Sequence, residues 1–317
     1  MTESRILSTD DISRLPDSVP ADQYGEKVRA YYNGLLEKAI TTEQRVKDNQ
    51  GLTHSPVLSI LHDIAEDALV DQVYECAIST SGDQGIFSHT VSVAIGSMKV
   101  GMGMKYDRKK LLRLGLAAFL ENVGMYKIPD HILKKEGALS QDEIGVIRRH
   151  PEDSALILGQ MGGVFQWLAE VASQVHERSD GSGYPKGLKG EEITEAASII
   201  GIMDTYVAMI KNRPYREKIM ESEVVKSLIG FTKGKFPQKV VKEFLNQVSL
   251  FPLNTYVRLN NKSIGRVIHT DRNQPFRPTI ELLYDGLGEK LEKGDIIPLS
   301  DVPVLHIVDT IDERDLH

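Results

Sequence analysis

The chain is poor in the residue types that mark several large classes of protein. It has a single cysteine, Cys76, among 317 residues, so an internal disulfide and a thiolate metal cluster are both excluded. No run approaches the roughly 18 apolar residues of a membrane-spanning helix, and the amino-terminal stretch lacks the apolar core of a signal peptide. With 41% hydrophobic and 26% charged residues the composition is that of a soluble globular protein, which we expect in the cytoplasm.

A surplus of basic residues is also missing. The formal charge is −7, from 45 acidic and 38 basic residues, which gives no reason to expect binding to DNA or to a membrane surface. The chain has no Gly-x-x-x-x-Gly-Lys-Ser/Thr loop, no Gly-x-Gly-x-x-Gly after a strand and no Gly-x-Ser-x-Gly elbow. The common phosphate-loop, dinucleotide and serine-hydrolase sites are therefore not favoured.

The chain does contain a long succession of helical patterns, followed by a short region of strands. No stretch between residues 82 and 252 alternates in the manner of a strand. We therefore predict a mainly α fold, with an N-terminal helical region over residues 1–80, a helical domain over 81–252 and a small β extension over 253–317. An antiparallel sheet of three or four strands is predicted at Thr255–Leu259, Gly265–Thr270, Thr279–Tyr284 and Val304–Val308.

Turn signals separate the helical patterns. Ser140 followed by Glu143 predicts a capping box, and Pro151 suits the first turn of a helix. The helical patterns lie at Ala21–Lys47, Val57–Ser79, Val91–Val100, Arg108–Leu120, Ser140–Arg149, Pro151–Met161, Val164–Gln174, Glu195–Ile210, Glu221–Ile229 and Pro237–Gln247.

One loop, Val175–Leu188, reads Val-His-Glu-Arg-Ser-Asp-Gly-Ser-Gly-Tyr-Pro-Lys-Gly-Leu. It follows an apolar helix; Gly181 and Gly183 suit positive φ angles, and Pro185 prevents a return to helix. The segment therefore presents one imidazole, His176, at the end of a packed helix before a compact polar loop. These residues alone are compatible with part of a site or with an ordinary surface connection that contains a chance histidine.

Polar side chains able to bind metals recur through the helical core, near helix ends or on apolar faces. The candidates are His89, Glu121, Asn122, His150, His176 and Asp204. A carboxylate inside an apolar helix, as at Asp204, must be paired, protonated or bound to a metal, because burying a bare charge is costly. Each residue alone is more often a hydrogen-bonded core residue, and only the set indicates a metal site inside a helical bundle. We interpret His62-Asp63 instead as the solvent-facing side of an amphipathic helix.

The loop His176–Leu188 resembles the signature loop of the HD-GYP family. That family is a branch of the HD-type metal-dependent phosphohydrolases and hydrolyses the bacterial messenger cyclic di-GMP. The segment from Tyr256 to Pro278 is similar to the small β extension that often follows this domain. The resemblance covers about residues 82–300 and implies an HD-type helical bundle. Further motifs follow in the family's order, namely Ser88-His89, Lys127-Ile-Pro, His150-Pro151, Met203-Asp204 and Arg213-Pro-Tyr-Arg216.

The first implication of the resemblance is a set of metal ligands. The corresponding positions in this chain are His89, Glu121, Asn122, His150, His176 and Asp204. Glu121-Asn122 replaces the family's His-Asp pair, so that an amide stands where a bridging aspartate is expected. Three imidazoles, two carboxylates and one amide can bind two divalent metal ions, and a ligand set without thiolate favours iron, then manganese, over zinc.

The second implication is a set of substrate contacts for cyclic di-GMP or a related cyclic dinucleotide. They fall on Asp180, Gly183, Tyr184, Pro185, Arg213 and Arg216. The two arginines match basic positions that grip the substrate phosphates, which a guanidinium fork suits. The Gly183-Tyr184-Pro185 loop is the one that the family uses for contacts with GGDEF-type cyclase domains, and neither DNA nor a membrane is an expected partner.

Three departures from the family pattern point to a leaner site. Met125 stands where a lysine would meet a phosphate or the leaving group, so a useful charge is missing. Val175 replaces the first of a doubled histidine, and Gly85 stands where members with three metals have a glutamate. Two metal ions are therefore expected rather than three.

Two functions stay open on the sequence. An active phosphodiesterase would hydrolyse a cyclic dinucleotide with a water activated at a dinuclear metal centre, which requires no protein nucleophile. A catalytically weak or inactive module would serve as a cyclic di-GMP sensor or as a docking partner of GGDEF cyclases, which the changes at Glu121, Asn122 and Met125 favour. We take the phosphodiesterase as the principal hypothesis.

Overall fold

Helices make up the greater part of the described chain and a small sheet follows them, which confirms the mainly α fold class. The chain divides into two compact units, one of residues 1–98 with 108–173 and the other of residues 99–107 with 174–317. The domain boundaries expected at residues 80 and 252 stay a prediction. The computed structural model describes residues 25–79, 85–133, 135, 137–211, 230, 232–248, 251, 254–270, 274 and 276–311.

Most of the described helices follow the predicted apolar patterns, and the short helix Asp130–Leu133 was not predicted. In chain order they are α1 (Glu26–Lys47), α2 (Ser55–Glu66), α3 (Val70–Ser79), α4 (Ile86–Gly103), α5 (Arg108–Leu120), α6 (Asp130–Leu133), α7 (Gln141–Arg148), α8 (His150–Gly159), α9 (Gln166–Gln174), α10 (Glu195–Lys211) and α11 (Gln238–Gln247). Short 3₁₀ helices add Val123–Lys127, Gly163–Phe165 and Gly190–Glu192. Among the described residues, none of these α-helices combines the length and the apolar content needed to cross a membrane.

The helical stretch predicted from Val57 to Ser79 is wrong as one element, because a turn separates α2 from α3. Ala68, in that turn, has a φ of 55°. Ile64 and Val73 are both buried, yet they are nine positions apart, and at about 100° per residue a straight helix would point them in opposite directions. The turn allows both α2 and α3 to pack against α1.

In the first unit, helix α5 determines where polar groups enter the core. Its residues from Leu114 to Leu120 are all buried, and the chain then turns into the 3₁₀ helix Val123–Lys127, which packs against α1 and α8. The first polar residues after this apolar run, Glu121 and Asn122, therefore lie in the interior and not at the surface.

Two predicted helix starts in the first unit are confirmed. The Ser140 side chain accepts from the backbone N–H of Glu143 while the Glu143 carboxylate accepts from the backbone N–H of Ser140, so the capping box is complete. Pro151 lies in the first turn of α8, where a missing N–H costs nothing. His62 and Asp63 are exposed, as their interpretation required.

In the second unit, α10 packs against α11, and the ring of Tyr206 meets that of Phe244 edge-on at 5.4 Å between centroids. A five-stranded antiparallel sheet follows, in the order β4-β3-β2-β1-β5. Its strands are β1 (Tyr256–Leu259), β2 (Ile264–His269), β3 (Thr279–Tyr284), β4 (Ile296–Pro298) and β5 (Ile307–Ile311).

The expectation of three or four strands is wrong by one, and the last predicted strand is shifted. Strand β4 is only three residues long and ends in Pro298, so it carries little alternation to recognise. The predicted strand Val304–Val308 lies at Ile307–Ile311 instead, because the guanidinium of Arg277 binds carbonyls in the preceding turn, including those of Pro303 and Leu305.

Candidate metal centre

Glu121 brings a carboxylate into the interior of the first unit, at the end of α5. Glu121 is 2% exposed, and the neighbouring Asn122 is 8% exposed. The amide nitrogen of Asn122 donates a hydrogen bond to Oε1 of Glu121. The two residues that replace the family's His-Asp pair are thus bonded to each other, and this contact fixes the orientation of the carboxylate.

His150 opens α8 and is 4% exposed. Its Nδ1 lies 2.7 Å from the carbonyl oxygen of Ile147. Because a carbonyl only accepts, Nδ1 carries the proton and Nε2 carries the lone pair, the tautomer that an imidazole needs to bind a metal through Nε2.

Gly124 explains how the chain after Glu121 approaches the start of α8. A Cβ atom at this position would lie 2.2 Å from the carbonyl oxygen of His150 and 2.7 Å from the backbone nitrogen of Ser154. The backbone N–H of Gly124 donates to Oγ of Ser154 at 2.8 Å. Only glycine permits this approach, so the Gly124 of the sequence is a requirement of packing between the 3₁₀ helix and α8.

His176 lies just beyond the end of α9, where the second unit begins its loop. Its ring is stacked on that of Tyr184, with centroids 4.9 Å apart and an interplanar angle of 6°. Nδ1 of His176 lies 4.0 Å from Oδ2 of Asp204 on α10. Helix α10 approaches the residue before His176 closely at Gly201, where a Cβ would lie 2.3 Å from the carbonyl oxygen of Val175.

Three of the predicted ligands have side chains able to bind a metal ion. Glu121 and His150 are buried in the first unit, and His176 is partly buried in the second. Two imidazoles and one carboxylate form a donor set that suits a divalent transition metal. The donors present therefore fit a metal ion, and the chain contains a candidate metal site.

The other three predicted ligands lie outside this group of His and carboxylate residues. His89, in the first turn of α4, is partly exposed, and its backbone N–H donates to the carbonyl of Gly85 at 3.3 Å. Asp204 neighbours His176, and Asn122 neighbours Glu121. Their roles as ligands stay predictions.

The loop after His176 has a defined conformation. Oδ1 of Asp180 accepts from both the backbone N–H and the hydroxyl of Ser182, at 2.9 and 2.6 Å. The hydroxyl bond, together with the backbone bond, lowers the pKa of Asp180 below its ordinary value. Gly181 has a φ of 81°, and the Tyr184–Pro185 peptide bond is cis. Asp180 thus stabilises a turn, while its predicted contact with substrate stays untested.

The sequence reasoning missed two buried charges in this loop. Glu177 is 2% exposed and Arg178 is 8% exposed, although the surrounding stretch is polar. The guanidinium of Arg178 donates to the carbonyls of Val175 and Glu177 and stacks on the ring of Phe236 at 4.8 Å. Burial lowers the pKa of Arg178, against the opposing effect of nearby Asp204. The signal was their position directly after the buried residues Val171, Ala172 and Gln174 of α9.

Met125 lies in the 3₁₀ helix Val123–Lys127 and is half-buried. It provides no charge at the position where the resemblance leads one to expect a lysine. Arg213 and Arg216, the two predicted phosphate contacts, and the predicted helix Glu221–Ile229 lie outside the described residues.

Comparisons with known proteins agree with this architecture. The family model described as HD domain matches residues 79–236, and the one described as KOW domain associated with HD domain matches residues 256–317. The fold is similar to that of Bd1817, an HDG"Y"P protein from Bdellovibrio bacteriovorus, with a TM-score of 0.56 and 18% identity over 70% of this chain and 73% of that chain. At that identity the similarity concerns the fold alone.

Curated relatives include several named phosphodiesterases. Cyclic di-GMP phosphodiesterase PA4108 of Pseudomonas aeruginosa is 28% identical over 64% of this chain and 49% of its own length. Cyclic di-GMP phosphodiesterase PdeB of Borreliella burgdorferi is 29% identical over 68% of this chain and 56% of its own length. The 3'3'-cGAMP-specific phosphodiesterase 1 of Vibrio cholerae is 27% identical over 69% and 57% respectively. The chain thus spans about half the length of the curated relatives it matches.

Proposed function

We propose that the chain, a member of the HD-GYP branch of the HD domain family, is a metal-dependent phosphodiesterase. We propose cyclic di-GMP, or a related cyclic dinucleotide such as 3'3'-cGAMP, as its substrate and a linear dinucleotide as its product. The names of the relatives support this choice, since they include enzymes for both substrates.

The observation that carries the proposal is the set of possible metal donors, with Glu121 and His150 in the first unit and His176 in the second. A divalent metal ion held by these residues would supply a Lewis acid for the phosphodiester and lower the pKa of a bound water. The protein's own contribution is to orient the donors. The carbonyl of Ile147 fixes the His150 ring, the amide of Asn122 fixes the Glu121 carboxylate, and the ring of Tyr184 lies against His176.

The proposal extends to two metal ions, with iron preferred over manganese and zinc last. Asp204, 4.0 Å from His176, supports a second ion because it adds a carboxylate beside that imidazole. Nitrogen and oxygen donors without thiolate support iron or manganese. Arg213 and Arg216 stay the proposed contacts for the substrate phosphates, and we propose that the protein acts in the cytoplasm.

A second candidate function is a catalytically weak or inactive module that senses cyclic di-GMP or docks on GGDEF cyclases through Gly183-Tyr184-Pro185. The hydrogen bond from the Asn122 amide to Glu121 favours it, because that amide replaces a charged ligand of the family. Met125 favours it too, since a thioether cannot stabilise the charge that develops on phosphate as a lysine would.

Turnover by the full chain, purified without oxygen and reconstituted with iron(II) or manganese(II), tests the proposal. Cyclic di-GMP and 3'3'-cGAMP are incubated separately, and the linear products are separated by chromatography. We expect hydrolysis of at least one of them, and its loss in the variant His150→Ala but not in His62→Ala, whose imidazole is exposed.

Failure of the metal-loaded chain to hydrolyse either compound would contradict the phosphodiesterase and favour the second candidate. The triple variant Glu121→His, Asn122→Asp, Met125→Lys separates the two further. The second candidate requires this variant to gain activity by orders of magnitude, whereas an enzyme that is already active should change little.

A further inference from the structure

We propose that Glu177 is a positioning residue, which keeps the ring of Tyr184 stacked on the imidazole of His176 by binding the loop that follows Tyr184. The inference rests on the proposed function only in that His176 serves as a metal ligand. The role proposed for Glu177 is to bind the backbone of the loop, and not to bind the metal ion or the substrate.

The carboxylate of Glu177 binds two backbone groups of the loop at once. Oε1 accepts from the N–H of Lys186 at 2.6 Å, and Oε2 accepts from the N–H of Leu188 at 2.9 Å. Both bonds reach across the loop, nine and eleven residues from Glu177. A buried anion with two backbone donors is a strong contact, because its hydrogen bonds are charge-assisted and are shielded from water.

The position of Tyr184 follows from these contacts. Its backbone N–H donates to the carbonyl oxygen of His176 at 3.2 Å, and its ring lies parallel to that imidazole. Gly183, directly before it, is so close to the backbone that a Cβ there would lie 2.4 Å from Cα of Glu177. The loop therefore folds back on residues 176–178, and Glu177 binds its returning end.

Arg178 anchors the other side of the same segment. Nη1 of Arg178 donates to the carbonyl of Val175 at 3.0 Å, and Nη2 donates to Oγ1 of Thr205 at 3.3 Å. Thr205 neighbours Asp204 on α10. Arg178 therefore binds residues 175–178 to α10 independently of Glu177. If the contacts of Glu177 were lost, the loop after Tyr184 would loosen and His176 would lose its stacked ring, while the rest of the unit stayed in place.

Glu177→Gln is the direct test, because it keeps the shape of the side chain but replaces one acceptor oxygen by an NH2 donor that faces a backbone N–H. Glu192→Gln is the matched control. Glu192 is exposed and also accepts from a backbone N–H, that of Lys189 at 2.8 Å, which directly follows this loop. Tyr184→Ala and Tyr184→Phe ask separately whether the ring or the hydroxyl matters.

Hydrogen exchange of the full metal-free chain gives the first readout. In Glu177→Gln we expect the amides of Lys186 and Leu188 to exchange roughly ten- to a hundredfold faster. This is the factor by which losing a hydrogen bond to a charged acceptor shifts the equilibrium towards the open loop. In Glu192→Gln those two amides should keep their rates. Unchanged rates in Glu177→Gln would show that Glu177 does not bind the loop, which would overturn the proposal.

Manganese(II) affinity gives the second readout, measured by competition with a chelator. We expect Glu177→Gln and Tyr184→Ala to weaken manganese binding about tenfold or more, which is the effect of losing a residue that orients a metal ligand. We expect Tyr184→Phe and Glu192→Gln to bind manganese as the parent does. Faster exchange with unaltered manganese affinity would reduce Glu177 to a structural residue and overturn its positioning role.

Circular dichroism checks that each variant is folded, and a loss of manganese affinity is interpreted only for a variant that retains the helical signal. If Glu177→Gln does not fold, the pair Tyr184→Ala and Tyr184→Phe decides, and equal affinities in that pair would overturn the proposal. A parent chain that binds manganese but hydrolyses no cyclic dinucleotide would remove the proposed phosphodiesterase and leave both readouts valid.

Discussion

Replacing Gly124 by alanine would add one methyl group at a place where two backbones already touch. The new Cβ would lie 2.2 Å from the carbonyl oxygen of His150 and 2.7 Å from the backbone nitrogen of Ser154. Both neighbours are backbone atoms at the start of α8, so they cannot turn away as a side chain would. The 3₁₀ helix and α8 must separate, and the hydrogen bond from Gly124 to Ser154 Oγ, 2.8 Å long, must stretch.

The expected loss of stability follows from these two effects. Inserting a methyl group into a packed contact costs about 1–3 kcal/mol, and the stretched hydrogen bond adds about 1 kcal/mol. We therefore expect Gly124→Ala to lower the free energy of unfolding by about 2–4 kcal/mol. Gly145→Ala is the matched control, because Gly145 lies inside α7 and an added Cβ meets nothing within 4 Å. It should raise that free energy by about 0.5–1 kcal/mol.

Urea unfolding followed by tryptophan fluorescence measures both changes. Trp167 is the only tryptophan of the chain and belongs to the first unit, as Gly124 and Gly145 do, so it reports on the relevant part. With a slope of about 2 kcal/mol per molar urea, the midpoint should fall by about 1–2 M in Gly124→Ala and rise slightly in Gly145→Ala. Equal midpoints for Gly124→Ala and the parent would refute the close approach on which the account of His150 rests.

Three further predictions concern parts of the chain away from the metal group. Ser140→Ala removes the capping box of α7 and should lower the free energy of unfolding by about 1 kcal/mol, again read from Trp167; no change would contradict the cap. The hydrogen bond from Lys135, with that from the Ser140 backbone, lowers the pKa of Glu143. The ionised Glu143 therefore stabilises the start of α7 at neutral pH, and this stabilisation is lost as the pH falls through the lowered pKa. The protection factors of the amides at the start of α7, which are corrected for the pH dependence of intrinsic exchange, should therefore fall at acidic pH in the parent and hardly change in Glu143→Gln. Arg277→Lys should lose at least one of the contacts to the carbonyls of Leu299, Pro303 and Leu305, and speed exchange in β5; an unaltered rate would contradict the role given to Arg277.

Features determined by local sequence were predictable. The bounds of α5 agree with its apolar pattern, and the capping box of α7 needs only Ser140 and Glu143 at the right spacing. The loop could be recognised from its own residues, because Gly181 has the expected positive φ and Pro185 does not continue a helix. The positive φ expected at Gly183 is wrong, since that position requires glycine for its close approach to Glu177. Burial of Glu121 also followed from the apolar run of α5 before it.

Features that depend on two distant segments were not predictable. Gly124 and Gly201 look like ordinary glycines until the opposing carbonyls of His150 and Val175 are seen beside them. Glu177 looks like a solvated residue of a polar loop, yet folding buries it because the N–H groups of the returning loop need an acceptor. The shift of β5 has the same origin, since Arg277, far away in sequence, binds the carbonyls that precede it.

Metal content is the most direct test of the central claim, that Glu121, His150 and His176 are metal ligands. The parent chain, His150→Ala, His176→Ala and the exposed control His62→Ala would be purified without oxygen and analysed by mass spectrometry of the elements. The account predicts bound iron or manganese in the parent and in His62→Ala, and a loss of at least tenfold in affinity in the other two. Equal metal content in all four proteins would contradict it.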